Sequence, residues 1–197
     1  MRYLLKIHNR QKKEKKKFFH DKVSEKNQGK KQIIFSLDTY DDIFSDFDPR
    51  PFSQRMLSDD FLNEAKKASI GGKRGLLFLI PKNEKSVQHE TIIKRRLKEF
   101  FQKHSDIESK KLARLINNGI IYIILGNVII LVRTILLYNF ALDRSFLATF
   151  FISLIETPSW FLIFEGLIMI LFKSREQVPE TVFYNKIKNA DIEFKSF

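Results

Sequence analysis

A chain of 197 residues without a single cysteine can hold neither a disulfide framework nor a thiolate metal site, and its four histidines show no HxH or HExxH spacing. Its formal charge of +12 is segregated: residues 1–32 carry twelve Lys/Arg against three acids, residues 33–65 two against eight, and residues 66–114 fourteen against five. The second basic block stops where an apolar run begins, which points to an anionic membrane face; nucleic acid is not an expected partner, because no aromatic platform or binding motif accompanies the charge.

Residues 1–31 form a basic, Lys-rich tail. Its opening apolar run, Tyr3-Leu4-Leu5, is far short of a secretory h-region, so any membrane segment further on is expected to stay as a permanent anchor. Phe18, Phe19 and Val23 are the apolar cluster of residues 6–31. The tail reads as solvated and partly helical, or as adsorbed to anionic lipid, where each lysine near the surface contributes roughly 1 kcal/mol.

Residues 32–114 read as a cytoplasmic α/β domain. The stretch QIIFSLDTY, residues 32–40, is rich in β-branched and aromatic residues and predicts a strand. Asp48-Pro49-Arg50-Pro51 breaks regular structure. Ser58 followed by Asp59 and Asp60 predicts an N-cap and a helix to about Ser69. IGGKRG, residues 70–75, is a turn. It is not a phosphate loop, because its glycines precede the strand and Arg74 stands where Ser or Thr is needed. LLFLI, residues 76–80, predicts a second strand closed by Pro81. A helix over 86–103 places Ile93, Leu97, Phe100 and Phe101 on one face. Ser105-Asp106-Ile107-Glu108 fits a capping box and predicts a fresh helix that runs on into the first apolar segment.

Residues 115–172 are read as a transmembrane helical hairpin. The first segment, 115–138, reaches roughly 36 Å as a helix at about 1.5 Å per residue, enough for a hydrocarbon core of about 30 Å. The second, 146–172, is over-long, and Pro158 is the expected kink. Lys110, Lys111 and Arg114 precede the first segment and Lys173 and Arg175 follow the second, against one arginine in the loop. That bias predicts cytoplasmic termini, in a plasma or inner membrane.

Among the polar residues inside these segments, Asn118, Asn127, Arg133, Glu156 and Glu165 stand out. A turn centred near residues 141–142 makes position i face position 283 − i, so Asn127 is expected level with Glu156 and Asn118 with Glu165. Arg133 is expected to snorkel toward the interface on the loop side. Glu156 and Glu165 lie nine residues apart, on opposite faces of a straight helix, so one partner helix does not cover both. Glu156 then has three readings: a packing residue between helices, part of an ion or proton pathway, or a docking site for another membrane protein. Gly119 with Gly126, and Ser159 with Gly166, share a spacing that permits close backbone approach.

Residues 173–197 read as a cytoplasmic return segment. Pro179 and Glu180 are expected to start a short helix containing Phe183, Tyr184 and Ile187, and ADIEFKSF a strand beside the two earlier ones. The fold class is α+β: a small sheet-plus-helix domain joined to a two-helix membrane hairpin. The acidic run Asp38, Asp41, Asp42, Asp46, Asp48 contains a DxD but fails the EF-hand pattern, and its acids are expected to pair with Arg50, Arg55 or the tail. No catalytic residue, metal site or cofactor is predicted. The expected function is a non-enzymatic two-span membrane protein whose cytoplasmic domain senses or binds a partner and whose hairpin oligomerises or docks on another membrane protein. The alternative is a membrane effector or channel, for example anti-viral, assembling a pore around Glu156.

Overall fold

The computed structural model describes residues 32–70, 75–140 and 146–197; the basic tail, the tip of the glycine turn and most of the loop between the apolar segments lie outside the described residues. The chain divides into two compact units, Met1–His104 with Phe183–Phe197, and Ser105–Val182.

The first unit is built on three parallel strands, β1 (Gln32–Ser36), β2 (Gly75–Ile80) and β3 (Ile192–Ser196), in the order β1-β2-β3. Ile33 and Ile192 both align with Leu76, and Phe35 and Phe194 with Phe78. All six residues of β2 are buried, as a continuous apolar run in the centre of a parallel sheet requires. The carboxyl-terminal strand completes the sheet as expected. One face is covered by α1 (Asp59–Ser69) through Phe61 and Ala65, by the start of α2 (Val87–Phe140) through Ile93, Leu97 and Phe101, and by Phe183 and Ile187 of a late helix. Phe78 stacks between Phe35 and Phe194 at 5.5 and 5.0 Å, so one aromatic layer crosses all three strands.

β1 is shorter than the predicted 32–40. The Asp42 carboxylate accepts the backbone N–H of Asp38 at 2.6 Å, which turns the chain into a single 3-10 turn, Tyr40–Ile43. Tyr40 is buried there, and its hydroxyl accepts the N–H of Ser86 at 3.0 Å.

α2 is one helix of 54 residues, and the predicted restart at Ser105 does not occur. Ser105 and Glu108 are buried in mid-helix. HSDIES contains neither Gly nor Pro, and its serines and aspartate each cost only tenths of a kcal/mol against Ala in a helix, about 0.7 at most, too little to interrupt one held on both sides.

In the second unit α2 continues, followed by α3 (Phe146–Ile168), a π-helical segment Met169–Lys173, and α4 (Ser174–Ile187) as far as Val182. α3 is unbroken at Pro158, and the departure from α geometry comes later, at the π segment. Pro179 lies inside α4 rather than at its start; the carbonyl it leaves unpaired is that of Arg175, an exposed residue where solvent can serve it. Both long helices are apolar and long enough to cross a membrane by length and composition.

The two helices touch through their smallest residues. A Cβ on Gly126 would lie 2.7 Å from the Ser159 carbonyl oxygen, and one on Gly166 2.5 Å from the Gly119 carbonyl oxygen. These contacts place position i opposite position 285 − i, so the chains run in opposite directions, two residues out of the predicted register. A methyl group at either glycine has to push the backbones apart. Gly126→Ala and Gly166→Ala are each expected to destabilise the unit by about 1–3 kcal/mol, measured as a lowered midpoint of reversible unfolding in detergent micelles. Leu131→Ala, on the exposed side, should leave the midpoint nearly unchanged.

Candidate functional site

The functional candidates sit where polar side chains interrupt the apolar helices. Arg133 of α2 and Glu156 of α3 form an ion pair at 2.9 Å, with their side chains 24% and 41% exposed. The pairing of Asn127 with Glu156 expected from the sequence does not form, and Arg133, expected at the interface, is the partner of Glu156. The Asn127 amide donates instead to the Ile123 carbonyl of its own helix at 2.7 Å.

Side-chain direction explains the difference. Every helical Cβ leans toward the amino terminus of its own helix. Arg133 therefore reaches back about one turn toward the level of residue 129, which faces residue 156, while Glu156 leans toward residue 152, which faces 133. Antiparallel packing aims the two at each other, and comparing Cα heights alone misses the pair. The Arg133 Nε atom is buried and makes no hydrogen bond.

Glu165 is held differently. It accepts Lys173 Nζ at 2.6 Å, along its own helical path rather than across to Asn118, which is exposed. The π segment lies between the two and changes the angular step over those residues, so sequence offsets counted at 100° per residue no longer describe them. The expectation that one partner helix does not serve both glutamates agrees with this arrangement: one pairs across, the other along.

At the end away from the loop, Lys110, Arg114 and Arg175 are exposed, and Lys110 and Arg175 are level in the register. Lys111 is engaged, donating to Glu108 at 2.7 Å. Glu108 is the residue that sequence reasoning misjudged. It is buried, accepts Gln177 Nε2 from α4 at 2.5 Å, and its carbonyl accepts the Thr181 hydroxyl at 3.4 Å. Residues 108 and 177 satisfy the same 285 − i register, so the antiparallel contact extends from Glu108 to the Arg133–Glu156 pair. The available signal was a carboxylate and an amide at matched positions, and the capping-box reading hid it.

Of the acidic run in the first unit, Asp48 is buried and Asp38, Asp41, Asp42 and Asp46 are exposed. Asp48 accepts Arg50 Nη2 at 2.8 Å and Nε at 2.9 Å, and the N–H of Met56 at 2.7 Å. Asp41 pairs with Arg55, whose Nε also donates to the Ser45 carbonyl at 3.1 Å. Asp46 points to solvent, so the two acids of the DxD do not converge. Among the described residues no three His, Asp or Glu side chains gather as a metal site.

The Arg50 guanidinium, and after it the Met56 N–H, hold the Asp48 carboxyl well below the usual carboxylate range. A folded-state pKa below the unfolded one means that this contribution is complete above roughly pH 4, the unfolded value, and is lost as pH falls through the lowered one. Thermal unfolding of the parent and of Asp48→Asn should therefore differ by a constant gap from pH 7 to about 4 and converge below it.

Comparison with protein-family models, with curated proteins and with solved structures finds no match to this chain.

Proposed function

We propose that this protein is a two-span integral membrane protein without catalysis of its own, in which the α2–α3 hairpin is an assembly element and the sheet unit is the cytoplasmic part that binds a partner or signal. The observation that carries the reading is the Arg133–Glu156 pair, set in apolar helices with much of the Glu156 carboxylate exposed. Lipid solvates neither charge, and ionisable groups within a membrane face protein or trapped water. A neighbouring chain is the cover that this surface calls for.

A second copy fits better than an unrelated neighbour. Each protomer offers a partly exposed Arg133–Glu156 pair, so a second copy brings both complementary charges to the same surface. A two-fold interface needs a self-complementary surface of this kind. The same pairing weighs against conduction. A carboxylate already neutralised by Arg133 carries little net charge with which to draw a cation. The contact reading is therefore preferred to a pore lined by Glu156.

Orientation follows from the exposed cations. Lys110, Arg114 and Arg175 lie at the end away from the loop, which supports a reading with both termini on the cytoplasmic side of a plasma or inner membrane with an anionic inner leaflet.

The test is the mass of the nanodisc-embedded protein. The parent is expected to be a defined oligomer and Glu156→Leu a monomer. The double variant Arg133→Leu/Glu156→Leu should be better folded than either single one, because removing one partner leaves the other charge unpaired among apolar helices. A parent that is monomeric, or an oligomer unchanged by Glu156→Leu, overturns the reading.

A further inference from the structure

Among the described residues the sheet has two outer edges, β1 and β3, and the sequence treats them differently. β3 carries Glu193 and Lys195, charges of the kind that keep an edge strand from pairing with another chain. β1, Gln-Ile-Ile-Phe-Ser, carries neither charge nor proline. The Leu37 N–H donates to the Leu79 carbonyl at 2.8 Å, which sets the parity of the strand. Ile33, Phe35 and Leu37 direct their backbone groups to β2, and Ile34 and Ser36 direct theirs outward. Among the described residues no backbone group pairs with that outward edge.

A groove of about 380 Å³ runs beside this edge, between β1 and α1. Asp60, Phe61, Glu64 and Ala68 line it from α1, and at about 100° per residue the four fall on one stripe of that helix. Phe61 is buried, whereas Asp60 and Glu64 are exposed. The ion pairs among the described residues engage neither carboxylate. Unpaired strand backbone, an apolar ring and two carboxylates therefore lie side by side along one groove.

We infer that this groove binds an extended segment of another protein, which pairs with β1 as an added strand and alternates basic with apolar residues. The inference rests on the reading of the sheet unit as the part that binds a partner, and it specifies the surface and the partner's chemistry. Strand addition supplies main-chain hydrogen bonds, and alternate side chains supply the selectivity. On the α1 side, a lysine or arginine lays its aliphatic stem over Phe61 and brings its charge to Asp60 and Glu64. The residues between point to the other face of the sheet, beside Ile34, where an apolar side chain fits. The surrounding charge agrees: residues 33–65 carry two Lys/Arg against eight acids, so a basic segment is attracted and an acidic one repelled. A second copy of β1 is a poorer occupant, since it brings its own Asp60 and Glu64 to the same groove.

The probe is a fluorescent peptide of alternating valine and lysine, added to the full chain in phosphatidylcholine nanodiscs and followed by anisotropy, with empty nanodiscs as the blank. It is expected to bind, and its valine–glutamate counterpart is not. Asp60→Asn/Glu64→Gln should weaken binding about tenfold, as the loss of two exposed ion pairs implies. Ile34→Pro removes an outward N–H and no bond to β2, so it suits an edge strand and should abolish binding with the circular dichroism unchanged. If the proline unfolds the unit, methylation of the peptide's amides decides instead. Only one alternate set of them faces β1, so methylating that set abolishes binding and methylating the other does not. No binding, unchanged affinity in either folded variant, or equal effects of the two methylated sets overturns the inference. The oligomer mass is read on the same nanodiscs without peptide, so the assembly reading stands or fails separately.

Discussion

Where Gly126 meets Ser159 and Gly119 meets Gly166, the backbones of α2 and α3 approach so closely that no β-carbon fits between them. That contact sets the register from which the polar interactions of the second unit follow. Small residues seven apart return to nearly the same face of a helix, and two such pairs on antiparallel helices meet only in one alignment. Once the glycines are seated, Glu108 falls opposite Gln177. The lean of Arg133 and Glu156 toward their own amino termini then brings those side chains together. A different register would leave Glu156 without Arg133 and Glu108 without Gln177.

Each carboxylate within or beside the apolar stretch has its own counter-charge. Glu156 meets Arg133 across the pair, Glu165 meets Lys173 along the chain, and Glu108 meets Lys111 one turn away. Such pairs add little net stability, because desolvation offsets much of their attraction. Their effect is on specificity: misalignment strands charges in an apolar setting, which is far more costly than leaving them paired. The proline and the glutamates that look out of place in a membrane-length segment are thus compatible with it. Pro158 is accommodated within an unbroken helix, and the acids are compensated locally.

Local patterns in the sequence carried much of the first unit. LLFLI reads as a strand and is one, Ser58 with two following aspartates opens α1, and the Ile192/Phe194 alternation finds its place beside Leu76 and Phe78. The matched glycines were legible too, as a spacing. What was not legible depended on tertiary context. The Ser105–Glu108 sequence is a good cap in isolation, yet burial on both sides carries the helix through it. Pro179 suits a helix start, yet a helix already under way tolerates it at an exposed turn. Asn127 and Glu156 do not pair, because helical side chains lean toward their own amino termini and residues at matched heights do not meet.

The functional account stands on α2 and α3 crossing a lipid bilayer together, with both ends of the pair on one side. Single cysteines at Lys110, Arg175 and Arg144, introduced into this cysteine-free chain, report that directly. The measurement is labelling of intact cells by a maleimide that does not cross membranes. The account predicts that Arg144→Cys is labelled from outside, whereas Lys110→Cys and Arg175→Cys react only after lysis. Equal labelling of all three, or protection of Arg144→Cys until lysis, would contradict it.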